Sequence, residues 1–265
     1  MQTIFITGST DGIGKLAALK LAKDGHNIIV HGRNSEKLAA TISELKETSS
    51  NSNITGYISD LSDFESIHKM IKDISSKDPN IDVLINNAGV FKSSVQTNKD
   101  GLDLRFAVNY FAPYLLTNGL LPILSKGKLA RIINLSSAAQ APVSLPALAG
   151  KESISSQEAY AQSKLALTMW SFAFAKVNPT LTTIAVNPGS LLNTNMVKEA
   201  YGHHWSSADK GADILYNLAV SEEHDENNGK YFDNDKGFFS DAHPDAYNEA
   251  KIYELIAETD KILTK

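Results

Sequence analysis

Cysteine is missing from all 265 residues, which removes disulfides, thiolate catalysis and Cys-ligated metal and fits a reducing compartment. A basic excess is missing too. The chain has 25 Lys+Arg against 30 Asp+Glu, a net charge of −5. With no run of Lys/Arg, it carries no electrostatic footprint for nucleic acid or an anionic membrane surface. No stretch reaches the roughly 18 apolar residues of a membrane span. Even the greasiest region, Phe106 to Leu124, holds Asn109, Asn118 and two prolines. The opening Met1-Gln2-Thr3-Ile4-Phe5-Ile6 enters strand-like sequence at once, without the basic and apolar regions of a cleaved signal. The expectation is a soluble, cytoplasmic protein with neither nucleic acid nor membrane as partner.

What is present is an ordinary folded composition, 42% hydrophobic, and enough chain for one large α/β domain, expected over 1–265. Short β-branched runs at Thr3 to Ile6, Asn27 to His31, Ile54 to Ser59, Asp82 to Asn86, Arg131 to Leu135 and Thr182 to Val186 alternate with helix-like segments. The helical spacing is clearest at Ile13 to Asp24, Glu36 to Glu47, Asp63 to Asp73, Leu102 to Leu124 and Tyr160 to Lys176. Strands alternating with helices imply a parallel sheet, and near-continuous apolar strands imply helices on both of its faces. The fold class is therefore α/β, a doubly wound parallel sheet in a single domain. Two segments interrupt the rhythm, 138–157 and 190–207, and long loops in a compact domain are often functional lids.

After the first strand comes Thr7-Gly8-Ser9-Thr10-Asp11-Gly12-Ile13-Gly14, leading into a helix. Glycines let backbone turn sharply and approach a pyrophosphate, whose charge then meets free N–H groups at a helix N-terminus. Strand, glycine turn and helix form a Rossmann-type dinucleotide unit, although Ser9 or Asp11 capping an ordinary helix would use the same residues. About 20 residues further on, an NAD site presents an acid to the ribose hydroxyl. Here the sequence reads His31-Gly32-Arg33-Asn34, and Arg33 can bond a 2′-phosphate instead. NADP(H) is expected over NAD(H).

Tyr160 and Lys164 are four apart and share a helix face. An ammonium beside a phenol favours the phenolate, lowering a pKa normally near 10 toward neutrality. Tyr and Lys at this spacing also occur on ordinary helix surfaces. Asn109 adds a separate hint: its carbonyl would accept from residue 113, which is proline, so the helix should kink there.

Taken in order, the glycine loop, Asp60-Leu61, Asn86-Asn87-Ala88-Gly89, Asn109, Ser136-Ser137, Tyr160-Ala161-Gln162-Ser163-Lys164 and Asn187-Pro188-Gly189 resemble the short-chain dehydrogenases/reductases over nearly the whole chain. The likeness is greatest to the subgroup of retinol dehydrogenases and their relatives, given the 23-residue interval from Ser137 to Tyr160 and Gly229-Lys230-Tyr231-Phe232 near the end.

The resemblance implies that Tyr160 is the proton donor or acceptor, that Lys164 lowers its pKa and holds the nicotinamide ribose, and that Ser137 bonds the substrate oxygen, with Ser136 the neighbouring register. It implies that Asn109 supports a water relay to Lys164. The cofactor would lie on Gly8, Ser9, Thr10, Asp11, Gly12, Ile13, Gly14, Arg33, Asn34, Asp60, Leu61, Asn87, Ala88, Gly89, Pro188 and Gly189.

The 190–207 segment, with Leu191, Leu192, Met196, Tyr201, His203, His204 and Trp205, would be the substrate lid. Its content suggests an apolar carbonyl or alcohol. Adjacent histidines without a third ligand do not make a metal site, and no metal is expected. The 138–157 segment, with Pro142, Leu145, Pro146 and Leu148, would lean over the site or cover the sheet edge. Relatives pair through the helices bearing Asn109 and Tyr160, so a homodimer or homotetramer is expected. Two other readings stay open: a dinucleotide-binding redox sensor without chemistry, and a carbon–carbon double-bond reductase.

Overall fold

The computed structural model describes residues 1–78, 80–124 and 130–264, excluding the side chains of Ala200 and Tyr201. The β-branched runs pair into one sheet of eight strands: β1 (Thr3–Ile6), β2 (Asn27–Gly32), β3 (Ile54–Ile58), β4 (Val83–Asn86), β5 (Arg131–Leu135), β6 (Thr182–Asn187), β7 (Lys230–Asp233) and β8 (Phe238–Phe239). Their order is β3-β2-β1-β4-β5-β6-β7-β8. Neighbours are parallel except β8, which runs antiparallel to β7. The helices are α1 (Gly12–Lys23), α2 (Ser35–Ser49), α3 (Phe64–Lys77), α4 (Leu104–Phe106), α5 (Ala112–Leu124), α6 (Leu145–Leu148), α7 (Ser156–Val177), α8 (Asn195–Tyr201), α9 (Ala208–Val220) and α10 (Glu249–Leu263).

The two-residue period of a strand splits the sheet side chains into two cores. Ile4, Ile6, Val30, Ile85 and Ile133 face Ala18 and Leu21 of α1, Leu38 of α2 and Leu215 of α9. Phe5, Ile29, Leu84 and Ile132 face Met70 of α3, Leu116 of α5 and Leu165 of α7. Each fully buried Ile or Leu contributes roughly 1.5–3 kcal/mol to this packing. The chain leaves β1 for β2 and β3 on one side, then returns to place β4 on the other. That reversal opens a crevice beyond the C-terminal ends of β1 and β4, the usual ligand position in such sheets.

Three parts of the chain differ from the sequence expectation. β7 and β8 were not recognisable as strands, because four and two residues carry too little pattern without the pairing to β6 and to each other. Pro113 does not simply kink its helix. A π turn, Ala107–Phe111, separates α4 from α5, and the Ala112 N–H donates to the Ala107 carbonyl five residues back. The turn widens just ahead of the proline, where the ring would otherwise press on the preceding turn.

The 138–157 segment is not a bare loop. It contains α6, capped by Ser144, whose side chain accepts from the Ala147 N–H, and it buries Ala147 and Leu148 in the core.

The outer side of the helices bearing Asn109 and Tyr160 carries α10. Tyr110 Oη and Thr259 Oγ1 are 2.8 Å apart, and Tyr114 donates to Asp260 Oδ1 at 2.5 Å.

Candidate active site

The loop between β1 and α1 is shaped by close approaches that only glycine permits. Gly8 has φ +62°, and a Cβ there would lie 2.8 Å from Ala88 Cα; at Gly14 it would lie 2.3 Å from Asn87 Nδ2. Asn87 is drawn in because its Nδ2 donates to the carbonyls of Thr7 (2.7 Å) and Gly8 (3.0 Å), while Ala88 N–H donates to Thr7 Oγ1 (3.0 Å). The β4 turn thus packs directly beneath the glycine loop, and bare backbone is left facing the crevice. Asp11 caps α1 by accepting the Gly12 N–H at 2.8 Å.

The underside of the loop is held by a residue that the sequence reading did not single out. His31 Nδ1 accepts the Gly8 N–H at 3.0 Å, and its other nitrogen lies 3.1 Å from the Ser59 carbonyl. The carbonyl can only accept, so Nε2 carries the proton and the ring is neutral. Burial pushes its pKa down to about 4.

The Ser9 side chain turns inward. It is fully buried, donates to the Ile6 carbonyl at 2.8 Å and accepts the His31 N–H at 2.9 Å, so its side chain fastens the loop to the sheet. Asn34 caps α2 by accepting the Lys37 N–H at 2.7 Å and does not line the cleft.

The cleft has a volume of about 470 Å³. Gly8, Thr10, Asp11, Gly12, Ile13 and Gly14 line it, with Arg33, Asp60 and Leu61 at one end and Asn87, Ala88, Gly89, Pro188 and Gly189 along its length. Arg33 is exposed. At the far end stand Ser137, Tyr160 and Lys164.

A capping box starts the helix that carries two of these. Ser155 and Glu158 bond each other's backbone, fixing α7 one turn before Tyr160. Lys164 is 4% exposed. Its ammonium donates to the Leu135 carbonyl at 2.6 Å and lies 5.6 Å from the centre of the Tyr160 ring. Burial pushes its pKa down to about 7.

The two serines after β5 both line the cleft but are held differently. Ser136 is buried, with Oγ 2.7 Å from Thr168 Oγ1 and 3.2 Å from the Lys164 carbonyl. Ser137 Oγ accepts the Ala139 N–H at 3.1 Å, which leaves its own proton free to turn toward the cleft.

Asn109 lies behind the cleft wall rather than in it. Its Oδ1 accepts the Val90 N–H at 2.8 Å, and its Nδ2 donates to the Val90 carbonyl and to Ser163 Oγ, both at 3.0 Å.

The segment after Pro188-Gly189 reaches back to the glycine loop. Asn195, at the start of α8, donates to Asp11 Oδ2 at 2.8 Å, and Lys37 meets the same oxygen at 2.8 Å. Thr194 caps α8 and brings its methyl group to 3.6 Å from where a Gly12 Cβ would stand. Thr194, Met196 and Val197, all within the 190–207 segment, line the cleft.

The aromatic part of the segment behaves otherwise: Trp205 is 77% exposed, its ring 6.0 Å from that of His203, and it does not line the cleft. The Tyr201 side chain is outside the described residues. The apolar wall comes instead from Phe91, Leu104, Val108, Met196 and Val197.

Such an arrangement offers a backbone cradle for a dinucleotide beside a phenol, an ammonium and a hydroxyl donor. The family model for short chain dehydrogenase matches residues 2–204. The chain belongs to the short-chain dehydrogenases. This family binds a nicotinamide dinucleotide, and the cleft lined by Gly8, Gly12 and Gly14 suits one.

Retinol dehydrogenase 13 of Homo sapiens is 32% identical over 282 residues, covering 99% of this chain and 84% of that protein. Polyprenol dehydrogenase of Homo sapiens is 33% identical over 210 residues, covering 76% and 63%. Among solved structures, a protein from Mycobacterium paratuberculosis superposes with TM-score 0.79 at 22% identity, covering 100% and 94%. One described as a short chain dehydrogenase from Escherichia coli CFT073, complexed with NADPH, gives 0.71 at 27% identity, covering 88% and 96%. The short-chain dehydrogenase described here is thus similar to the retinol dehydrogenases. Among its described residues no cluster of three or more His, Asp or Glu could hold a metal, and no helix is long and apolar enough to cross a membrane.

Proposed function

We propose that this chain is an NADP(H)-preferring oxidoreductase acting on an apolar carbonyl or alcohol, with Tyr160 as the proton donor or acceptor. The observation that carries the reading is the meeting of Tyr160, Lys164 and Ser137 with the glycine cradle in one cleft. When bound, the nicotinamide supplies or receives the hydride. The chain's own residues orient the substrate and move the proton. Ser137 turns its free O–H toward the substrate oxygen. Tyr160 delivers its phenolic proton to that oxygen in reduction and takes it back in oxidation. Lys164, 5.6 Å from the ring centre and shielded from water, stabilises the phenolate left behind, because opposite charges in a dry site support each other. Asn109 holds the Val90 backbone and so the wall beside Tyr160.

The NADP preference rests on Arg33 at the end of the cleft with no acid beside it, and is supported by the NADPH complex of the Escherichia coli relative. The apolar substrate class rests on Phe91, Leu104, Val108, Met196 and Val197, and the names of the retinol and polyprenol dehydrogenases point the same way. We read 190–207 as the lid. A homodimer or homotetramer is the proposed assembly, and α10 packs on Tyr110 and Tyr114 beside Asn109.

The test is NADPH oxidation by purified protein against aldehydes, ketones, quinones and enones, with NADH and Tyr160→Phe in parallel. Turnover of a carbonyl that Tyr160→Phe abolishes supports the reading. NADPH binding without turnover of any compound favours a sensor, and turnover confined to enones favours the double-bond reductase.

A further inference from the structure

The largest fully buried side chains among the described residues are two arginines, Arg105 and Arg131, each 1% exposed, and Arg105 is the one that reaches the Tyr160 helix. A guanidinium costs several kcal/mol to bury unless its donors are all engaged, and here they are. Nε donates to the Phe91 carbonyl at 3.1 Å; one terminal nitrogen meets both oxygens of Asp103, at 3.1 and 3.2 Å; the other donates to Gln96 Oε1 at 2.6 Å and Ser156 Oγ at 2.5 Å. No substrate or cofactor position needs this arrangement for its own sake, since Arg105 does not line the cleft.

Its geometry repeats that of Asn109. Residues 105 and 109 are one helical turn apart, on one face. Asn109 grips the Val90 carbonyl and reaches Ser163 of α7. Arg105 grips the next carbonyl, Phe91, and reaches Ser156 of α7. Ser156 and Ser163 are two turns apart, and Tyr160 lies between them. The two rungs therefore tie one loop to the Tyr160 helix above and below the tyrosine. The loop in turn touches Tyr160 itself: the Phe91 and Tyr160 rings meet edge to face, 4.8 Å between centroids.

We propose that Arg105 is a positioning residue for Tyr160, acting through Phe91 on the ring and through Ser156 on the start of α7. The inference rests on Tyr160 being the proton donor. A merely structural arginine would change stability alone; a positioning one changes the environment of the phenol in protein that is still folded.

The experiment uses the full chain with NADPH and two readouts: NADPH affinity, and the titration of Tyr160 followed by the Cζ resonance of isotope-labelled tyrosine, assigned with Tyr160→Phe. Arg105→Gln is expected to bind NADPH like the parent, to move the Tyr160 midpoint, and to lower kcat about 10- to 100-fold, the scale of a small misplacement. Phe91→Leu is expected to move the midpoint as well, with the Arg105→Gln/Phe91→Leu double variant well short of the sum, because the two act in series. Gln96→Leu removes only a partner at the exposed end of the network and covers the case in which Arg105→Gln does not fold; it is expected to shift the midpoint less and in the same direction. An unmoved midpoint in folded Arg105→Gln, or in Gln96→Leu should Arg105→Gln not fold, overturns the proposal. Turnover that survives Tyr160→Phe would overturn the proton-donor reading instead, and the two failures are separable because the titration requires no turnover.

Discussion

Lys164 sends its ammonium to the Leu135 carbonyl at 2.6 Å, inside the molecule, with the Tyr160 ring as its other neighbour. Nothing anionic touches it among the described residues, and burial therefore dominates, lowering its pKa from 10.5 to about 7. The unfolded chain keeps the proton up to the ordinary value, whereas the folded chain gives it up near 7. Stability therefore rises with pH between 7 and 10.5 and carries the full penalty below that window.

Lys164→Met removes the penalty. The variant is expected to melt higher than the parent at pH 7, by an amount on the order of a few kcal/mol, with the difference narrowing toward alkaline pH, and to lose turnover. Thermal melts of both proteins across that range check it; a gap that stays constant with pH would show that burial does not lower the Lys164 pKa.

His31 gives a window on the acid side. Its pKa falls from 6.5 to about 4 in the folded chain, so as pH drops through this interval the unfolded state binds a proton that the folded state refuses. Stability declines across the interval and the loss is complete near 4. In His31→Gln the parent's extra decline, up to about 3 kcal/mol, is expected to be absent, although the variant starts lower at neutral pH. Acid limbs of equal steepness in the two proteins would sink this account.

Arg33 is exposed at the end of the cleft, so its removal disturbs no core packing. If it reads a 2′-phosphate, Arg33→Ala is expected to weaken NADPH binding by about 10- to 100-fold, the worth of one or two charge-assisted bonds, and to leave NADH binding nearly unchanged. Calorimetry with both cofactors decides it, and equal losses would remove Arg33 from that role.

The paired serines after β5 should part company on mutation. Ser136→Ala breaks a buried contact with Thr168 and the Lys164 carbonyl and is expected to cost about 1–2 kcal/mol of stability with kcat little changed. Ser137→Ala is expected to do the reverse, lowering kcat with melting and dinucleotide affinity intact. Both are read from one set of melts and progress curves, and a Ser136→Ala variant that is stable yet inactive would reverse the assignment.

Most of the site was readable because its residues do two jobs that leave marks in sequence. Gly8 and Gly14 sit where Ala88 and Asn87 of the turn after β4 leave no room for a side chain, and Tyr160 and Lys164 share a helix face; both are spacing rules. Where the Ser9 and Asn34 side chains point was not legible, because a short hydroxyl or amide can face either way at a turn: Asn34 takes the local N–H of Lys37, and Ser9 takes the N–H of His31, which only the fold brings near. Trp205 was hard to place for a related reason: of its segment, Met196 and Val197 line the cleft, whereas the tryptophan is left outside. Arg105 could not have been found from its neighbours. In a helical pattern an arginine reads as solvated surface, and its acceptors at 91, 96 and 156 become adjacent only once α4 and α7 pack. β7 and β8 needed the sheet to exist before they could be strands.

The two-residue β8 also settles what one margin of the sheet can do. A bare strand recruits others by offering a row of unpaired peptide groups, and the danger grows with its length. On this side the sheet ends in Phe238–Phe239, reversed in direction against β7, so an incoming chain would find almost no template there. The margin that still offers a row of such groups is β3, on the far side of the molecule.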